Sequence, residues 1–257
     1  MVKEFDLEIT SSYALFLAHG DDEIGAIPIV LKHPPALVLY LTNGAGIGEK
    51  NLSKKREHEI RRSWQILNSD SEIVCFGSDF EIPDGMLHSR LTVDHLKILQ
   101  ELLTKSGVKL IVTSHAEGGH QDHDTSFMVS QYLSSKLNIS LLSFPLYCQS
   151  SVSKKVFSVM NTRGSGIKSE MKGLRTRIGS FVTAIRLISN YQSQWKTWIG
   201  LGIPLLFAMT RKYQLLKPTY VSLNNYPEAN DLFYESRGRA DRASVTSHWS
   251  KIGIISD

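Results

Sequence analysis

Residues 13–23 read YALFLAHGDDE. Tyr13 to Ala18 is an unbroken apolar run with no alternation, the pattern of a strand buried on both faces of a parallel sheet. His19, Gly20, Asp21, Asp22 and Glu23 follow it directly. Asp21 to Lys32 can then supply a crossover helix. In open α/β sheets, ligands bind beyond the carboxyl ends of the strands, so this junction is where chemistry is expected.

The same alternation continues outward. Ala36 to Thr42 (ALVLYLT), Glu72 to Phe76 (EIVCF), Lys109 to Thr113 (KLIVT) and Ile139 to Phe144 are further strands. Between them, Ser53 to Leu67 is an amphipathic helix with Ile60, Trp64 and Leu67 at spacings of four and three. Leu91 to Thr104 places Leu96, Leu99 and Leu103 on one stripe, and His123 to Leu137 is a third helix. Strand and helix alternate up to residue 144, which predicts an α/β chain with a mostly parallel, doubly wound sheet and helices on both faces.

Beyond residue 150 the pattern weakens. Asn161 to Gly173 reads as a mobile loop, Gly179 to Tyr191 as a helix, and the apolar Trp195 to Met209 as a buried core helix. Lining an aglycone pocket, an oligomer contact and peripheral membrane contact are the other readings of that last segment.

At 257 residues and 42% hydrophobic, the chain is long enough to bury a sizeable core. The net charge of +4 is too mild for a nucleic-acid binder. The densest basic stretch, Lys54 to Arg62, is broken by Glu57 and Glu59 and reads as a solvated helix face. Cys75 and Cys148 sit in apolar runs and read as buried thiols, with no CxxC pair. Met1 to Thr10 does not read as a signal peptide, and Trp198 to Met209 is too short to span a bilayer. The expected location is cytoplasmic; the sequence does not reveal the oligomeric state.

Two segments carry the chemistry: Ala18-His19-Gly20-Asp21-Asp22-Glu23 and Glu117-Gly118-Gly119-His120-Gln121-Asp122-His123-Asp124. A hydrolytic zinc site needs three His or carboxylate ligands and an open position for water, which the ion acidifies. A nearby carboxylate must take the proton. Adjacent Asp21 and Asp22 cannot both face one ion in regular structure, so they divide into ligand and base. The turn alone leaves open which is which, and Gly20 is expected to permit the sharp bend. The bland reading is an acidic first helical turn favouring the helix dipole. His120 and His123, three apart, would lie close together on a helix.

These residues resemble the PIG-L / LmbE-like family of zinc-dependent N-deacetylases acting on N-acetylglucosamine conjugates. AHGDDE at 18–23 matches the family's A-H-P-D-D-E, and HQDH at 120–123 its H-P-D-H. Leu41-Thr42-Asn43-Gly44, Arg56 to Leu67, Pro83-Asp84-Gly85 and Tyr191-Gln192-Ser193-Gln194 resemble its weaker motifs, in order. Gly20 and Gln121 stand where the family has prolines. The resemblance implies a Rossmann-like three-layer α/β/α fold and one domain over 1–257, with 150–257 as a C-terminal elaboration. It implies His19, Asp22 and His123 as metal ligands, Asp21 as general base, and His120 as the histidine that steadies the intermediate. Arg56 and Asp84 would meet the substrate, with Glu23 and Asp122 supporting the site from behind. The implied metal is Zn2+, with Fe2+ the alternative. The implied partner is an amino-sugar glycoconjugate, lipid-linked and anionic forms included.

Two other readings remain. One is a non-catalytic sugar-binding protein that keeps the metal site. The other is a nucleotide binder, suggested by Asn43 to Gly48 (NGAGIG), which lacks the Lys-Ser/Thr of a P-loop and does not complete G-x-G-x-x-G.

Overall fold

The computed structural model describes residues 12–149, 157–160, 169–174, 178–209, 213–218, 220–227 and 232–255. Five strands, β1 (Tyr13–Leu17), β2 (Leu37–Tyr40), β3 (Glu72–Val74), β4 (Leu110–Ser114) and β5 (Ser140–Phe144), are parallel neighbours in the order β3-β2-β1-β4-β5. A hairpin, β6 (Tyr147–Gln149) with β7 (Phe157–Val159), follows. Strands β8 (Ser169–Leu174) and β9 (Tyr213–Pro218) then add antiparallel to the free edge of β5, completing a seven-stranded sheet.

Side chains on β1 alternate between two cores. Tyr13, Leu15 and Leu17 enter one, Ala14 and Phe16 the other, as the two-residue period of a strand requires. The first core is closed by α1 (Glu23–Val30), α2 (Lys50–Ile66), α7 (Ile178–Asn190) and α8 (Trp195–Ala208). The second is closed by α5 (Val93–Ser106), α6 (Gln121–Leu137) and α10 (Arg242–Lys251). The expected three-layer α/β/α arrangement is therefore present. Short helices α3 (Phe76–Asp79), α4 (Leu87–Arg90) and α9 (Phe233–Ser236) fill the connections.

Local chemistry explains several boundaries. Thr92 caps α5, accepting from the His95 amide while the His95 ring accepts from the Thr92 amide. Gly107 ends the helix at φ +64°. Helix α2 begins at Lys50, three residues before the expected Ser53, and the third strand stops at Val74 because Phe76 starts α3.

Three expectations are corrected. The loop predicted over 161–173 contains β8 from Ser169 onward, with 161–168 outside the described residues, as are 1–11. Glu59 does not sit on a solvated face: it is buried and accepts from the Ser193 amide and hydroxyl, tying α2 to the turn Gln192–Gln194. Helix α8 is not a buried core helix, since Trp195, Ile199 and Ile203 are exposed. Cys75 and Cys148 are buried and form no disulfide, as expected. Among the described residues no helix is long and apolar enough to cross a membrane.

Candidate metal centre

The carboxyl ends of β1 and β4 bring the two predicted segments together. His19 lies beyond β1, and Asp22 caps the start of α1 while its Oδ2 accepts the His19 amide at 2.8 Å. Beyond β4, Gly118 and Gly119 lead into α6. A Cβ on Gly119 would lie 2.0 Å from the Tyr147 carbonyl oxygen, so only glycine lets this loop approach β6. Asp124 holds the same loop from within α6, accepting the Glu117 and Gly118 amides and the Tyr226 hydroxyl.

The result is a buried cluster. His19 Nδ1 lies 3.3 Å from His123 Nε2, His123 Nε2 lies 3.1 Å from Asp22 Oδ1, and His19 Nδ1 lies 3.7 Å from Asp22 Oδ2. Ligand atoms about 2.0–2.2 Å from a tetrahedral ion are separated by roughly 3.3–3.6 Å. His19 Nε2 meets Asp122 Oδ2 at 3.0 Å and Asp84 Oδ1 at 3.2 Å. These carboxylates accept from Nε2, which leaves Nδ1 directed toward His123. Two imidazole nitrogens and a carboxylate facing one point are a donor set that fits a divalent cation. His19, Asp84, His120 and Asp122 form a second group of converging ligand atoms. Asp122 is already committed there, accepting the Gly85 amide at 2.6 Å and the Leu87 amide at 3.0 Å.

Charge and burial set the protonation states. Burial alone would lower the His19 imidazole, but Asp84, Asp122 and Asp22 outweigh it and hold it well above its ordinary value. Burial also opposes charge on Asp84, yet His19, His120 and Arg56 hold its carboxyl far below the usual range. Asp21 is pushed up, first by burial and then by Asp22. His120 is pushed down by burial and by the neighbouring His19 and His123.

The bend is not made where expected. Asp21, not Gly20, takes the left-handed conformation, at φ +99°. Gly20 is required for space, because a Cβ there would lie 2.7 Å from Ile60 Cγ1. Nor do His120 and His123 share a helical face. His120 is the extended N-cap of α6, and its Nδ1 accepts the Asp122 amide at 3.2 Å. Glu23 lies behind the bend, where it accepts the Asp21 amide at 3.0 Å and the hydroxyls of Tyr40 and Tyr191. Asp84 Oδ2 pairs with Arg56 Nη1 at 3.5 Å at the edge of the cluster. The predicted ligand, base and substrate positions therefore line one cavity of about 410 Å³, with Glu23 and Asp122 outside its wall.

Residues 14–132 match the family described as PIG-L: GlcNAc-PI de-N-acetylase. Solved deacetylases share the fold of this chain. A triple mutant of the deacetylase of the teicoplanin biosynthetic pathway matches with a TM-score of 0.59 at 11% identity, over 80% of this chain and 97% of that one. The zinc-inhibited form of teicoplanin deacetylase gives 0.57 at 12% identity, over the same 80% and 97%. The A40926 pseudoaglycone deacetylase gives 0.58 at 11%, over 84% of this chain and 98% of that one. Comparison with curated proteins found no match.

The remaining wall of the cavity was anticipated from the sequence only in part, through the reading of 195–209 as a pocket lining. Tyr147, Trp198, Leu205, Phe233, Arg237 and Arg239 all contribute. Tyr147 also packs edge-on to His123, with ring centroids 5.3 Å apart. The one available signal was the position of Tyr147 just after a strand's carboxyl end. Phe233, Arg237 and Arg239 come from a segment remote in sequence with no local motif.

Proposed function

We propose that this chain is a metal-dependent hydrolase that removes the N-acetyl group from an N-acetylglucosamine-type amino-sugar conjugate. The observation that carries this reading is the convergence of His19 Nδ1, Asp22 and His123 Nε2 within 4.8 Å, in the wall of a cavity that Asp21 and His120 also line. The PIG-L match over 14–132 supports the substrate class, and the fold shared with solved deacetylases is consistent with it. We read the chain as one catalytic domain, because β9, from the C-terminal third, pairs with β5 of the same sheet. Buried Cys75 and Cys148, in no disulfide, support a reducing, cytoplasmic location.

His19, Asp22 and His123 hold the ion, zinc by preference and Fe2+ as the alternative. When bound, the metal lowers the pKa of water to about 7 and polarises the acetyl carbonyl. Asp21, whose carboxyl is held above its ordinary range, takes the proton from the attacking water. Because His120 Nδ1 accepts a backbone amide, the neutral ring carries its proton on Nε2. That N–H donates to the acetyl oxygen as negative charge develops there. The C–N bond breaks, acetate leaves, and the proton held by Asp21 passes to the amine nitrogen. Arg56 and Asp84 orient the sugar's polar groups.

Acetate release from N-acetylglucosamine conjugates, with and without chelator, tests the reading and separates it from simple sugar binding. Asp21→Asn is expected to keep its metal and lose about 10²–10⁴-fold in turnover. His123→Ala is expected to lose metal. Wild-type turnover in the first variant, or full occupancy in the second, would remove the corresponding role.

A further inference from the structure

Helices α7 and α8 pack against each other and close one core with Ala184, Leu187 and Leu205. Their outer sides are apolar as well. On α7, Ile178, Val182 and Ile185 stand at spacings of four and three; on α8, Trp195, Ile199 and Ile203 stand four apart. All six are exposed, with Ile178 at 86%, Ile199 at 70% and Ile203 at 79%. A soluble monomer scatters such residues singly, whereas stripes on neighbouring helices mark a surface that meets a partner.

Charge identifies the partner. Met171 to Pro227 holds eight of the chain's 29 Lys and Arg and none of its 25 Asp and Glu. This stretch therefore carries +8, and the rest of the chain −4. Lys196 Nζ sits 5.8 Å from the centre of the Trp195 ring, so a cation and an indole occupy the same part of the face. A second copy docked here would set Arg186 and Lys196, the exposed cations of α7 and α8, against like charge. An anionic bilayer matches both the apolar stripes and the charge.

We propose that the α7–α8 face docks on an anionic membrane surface. Its exposed apolar side chains enter the boundary between headgroups and acyl chains, and Arg186 and Lys196 face anionic lipid. Helix α8 turns its other side to the catalytic cavity, where Trp198, Leu201 and Leu205 form part of the wall. Docking therefore brings that wall to the membrane surface, where an amino sugar with an apolar, lipid-embedded aglycone would be reached. Only this last step rests on the deacetylase reading.

The test is co-sedimentation of the full chain with vesicles of phosphatidylcholine containing roughly 30% phosphatidylglycerol, against phosphatidylcholine alone. Binding to the anionic vesicles, weakened by salt, is expected. The double variant Ile199→Ser/Ile203→Ser is expected to partition at least about tenfold less, with unchanged circular dichroism and unchanged hydrolysis of a soluble conjugate. Val182→Ser/Ile185→Ser repeats the measurement on the other helix. Failure of the wild type to bind, equal binding by wild type and both variants, or a wild-type dimer that either variant dissolves would overturn the proposal. Vesicle binding without any deacetylation would uphold the docking surface and sink the deacetylase reading instead.

Discussion

Asp122 Oδ2 lies 3.0 Å from His19 Nε2 and also accepts the Gly85 amide at 2.6 Å. One carboxylate thus sets the tautomer of a candidate ligand and anchors the loop that carries Asp84. Asp122→Asn should lower zinc affinity by about 10–100-fold while the protein stays folded. Competition with a chromogenic chelator measures this, and unchanged affinity would show that His19 needs no such partner.

Tyr191, on the far side of the site, donates to Glu23 and lies 3.0 Å from Ser63 Oγ, all three groups being buried. Tyr191→Phe leaves Glu23 with fewer partners in a place water does not reach. A loss of about 1–3 kcal/mol is expected. Denaturant unfolding checks it, and a change below about 0.5 kcal/mol, the range of neutral surface substitutions, would contradict it.

Gly119→Ala puts a Cβ where the Tyr147 carbonyl stands. The overpacking should cost about 1–3 kcal/mol and displace the adjacent His120. A lower melting temperature together with reduced kcat/KM is the expected result. Wild-type values for both would mean that the loop relaxes freely.

His115 is buried beyond β4, its Nδ1 2.9 Å from Ser143 Oγ, and burial pushes its pKa down from 6.5 to about 4. A depressed histidine pKa means the unfolded chain binds the extra proton first as pH falls. Its contribution is fully present above about pH 6.5 and drains away toward pH 4, by about 3 kcal/mol. His115→Asn should flatten the stability profile over that window. Parallel profiles for wild type and variant would exclude His115 as the cause.

The strands were legible because buried parallel strands must be continuously apolar, and 13–18, 36–41 and 110–112 are. The ligand-type residues were legible because a switch from an apolar run to His, Asp and Glu marks a strand's carboxyl end. The edge strands β8 and β9 were not. They pair antiparallel at the sheet's margin, and the loop-like glycines of 161–173 obscured the first of them.

By itself, then, the sequence determined which residues are apolar, at what period, and which ligand-type side chains follow them. Those properties are local, and they decide secondary structure and the ends of β1 and β4. The tertiary structure alone decided that Asp21 takes the left-handed bend and that His120 caps α6 from an extended backbone. It also decided that Tyr147, Arg237 and Arg239 complete the cavity, and that α8 keeps an apolar side in the open. Each depends on contacts between residues far apart in the chain, and periodicity carries no information about which surfaces meet.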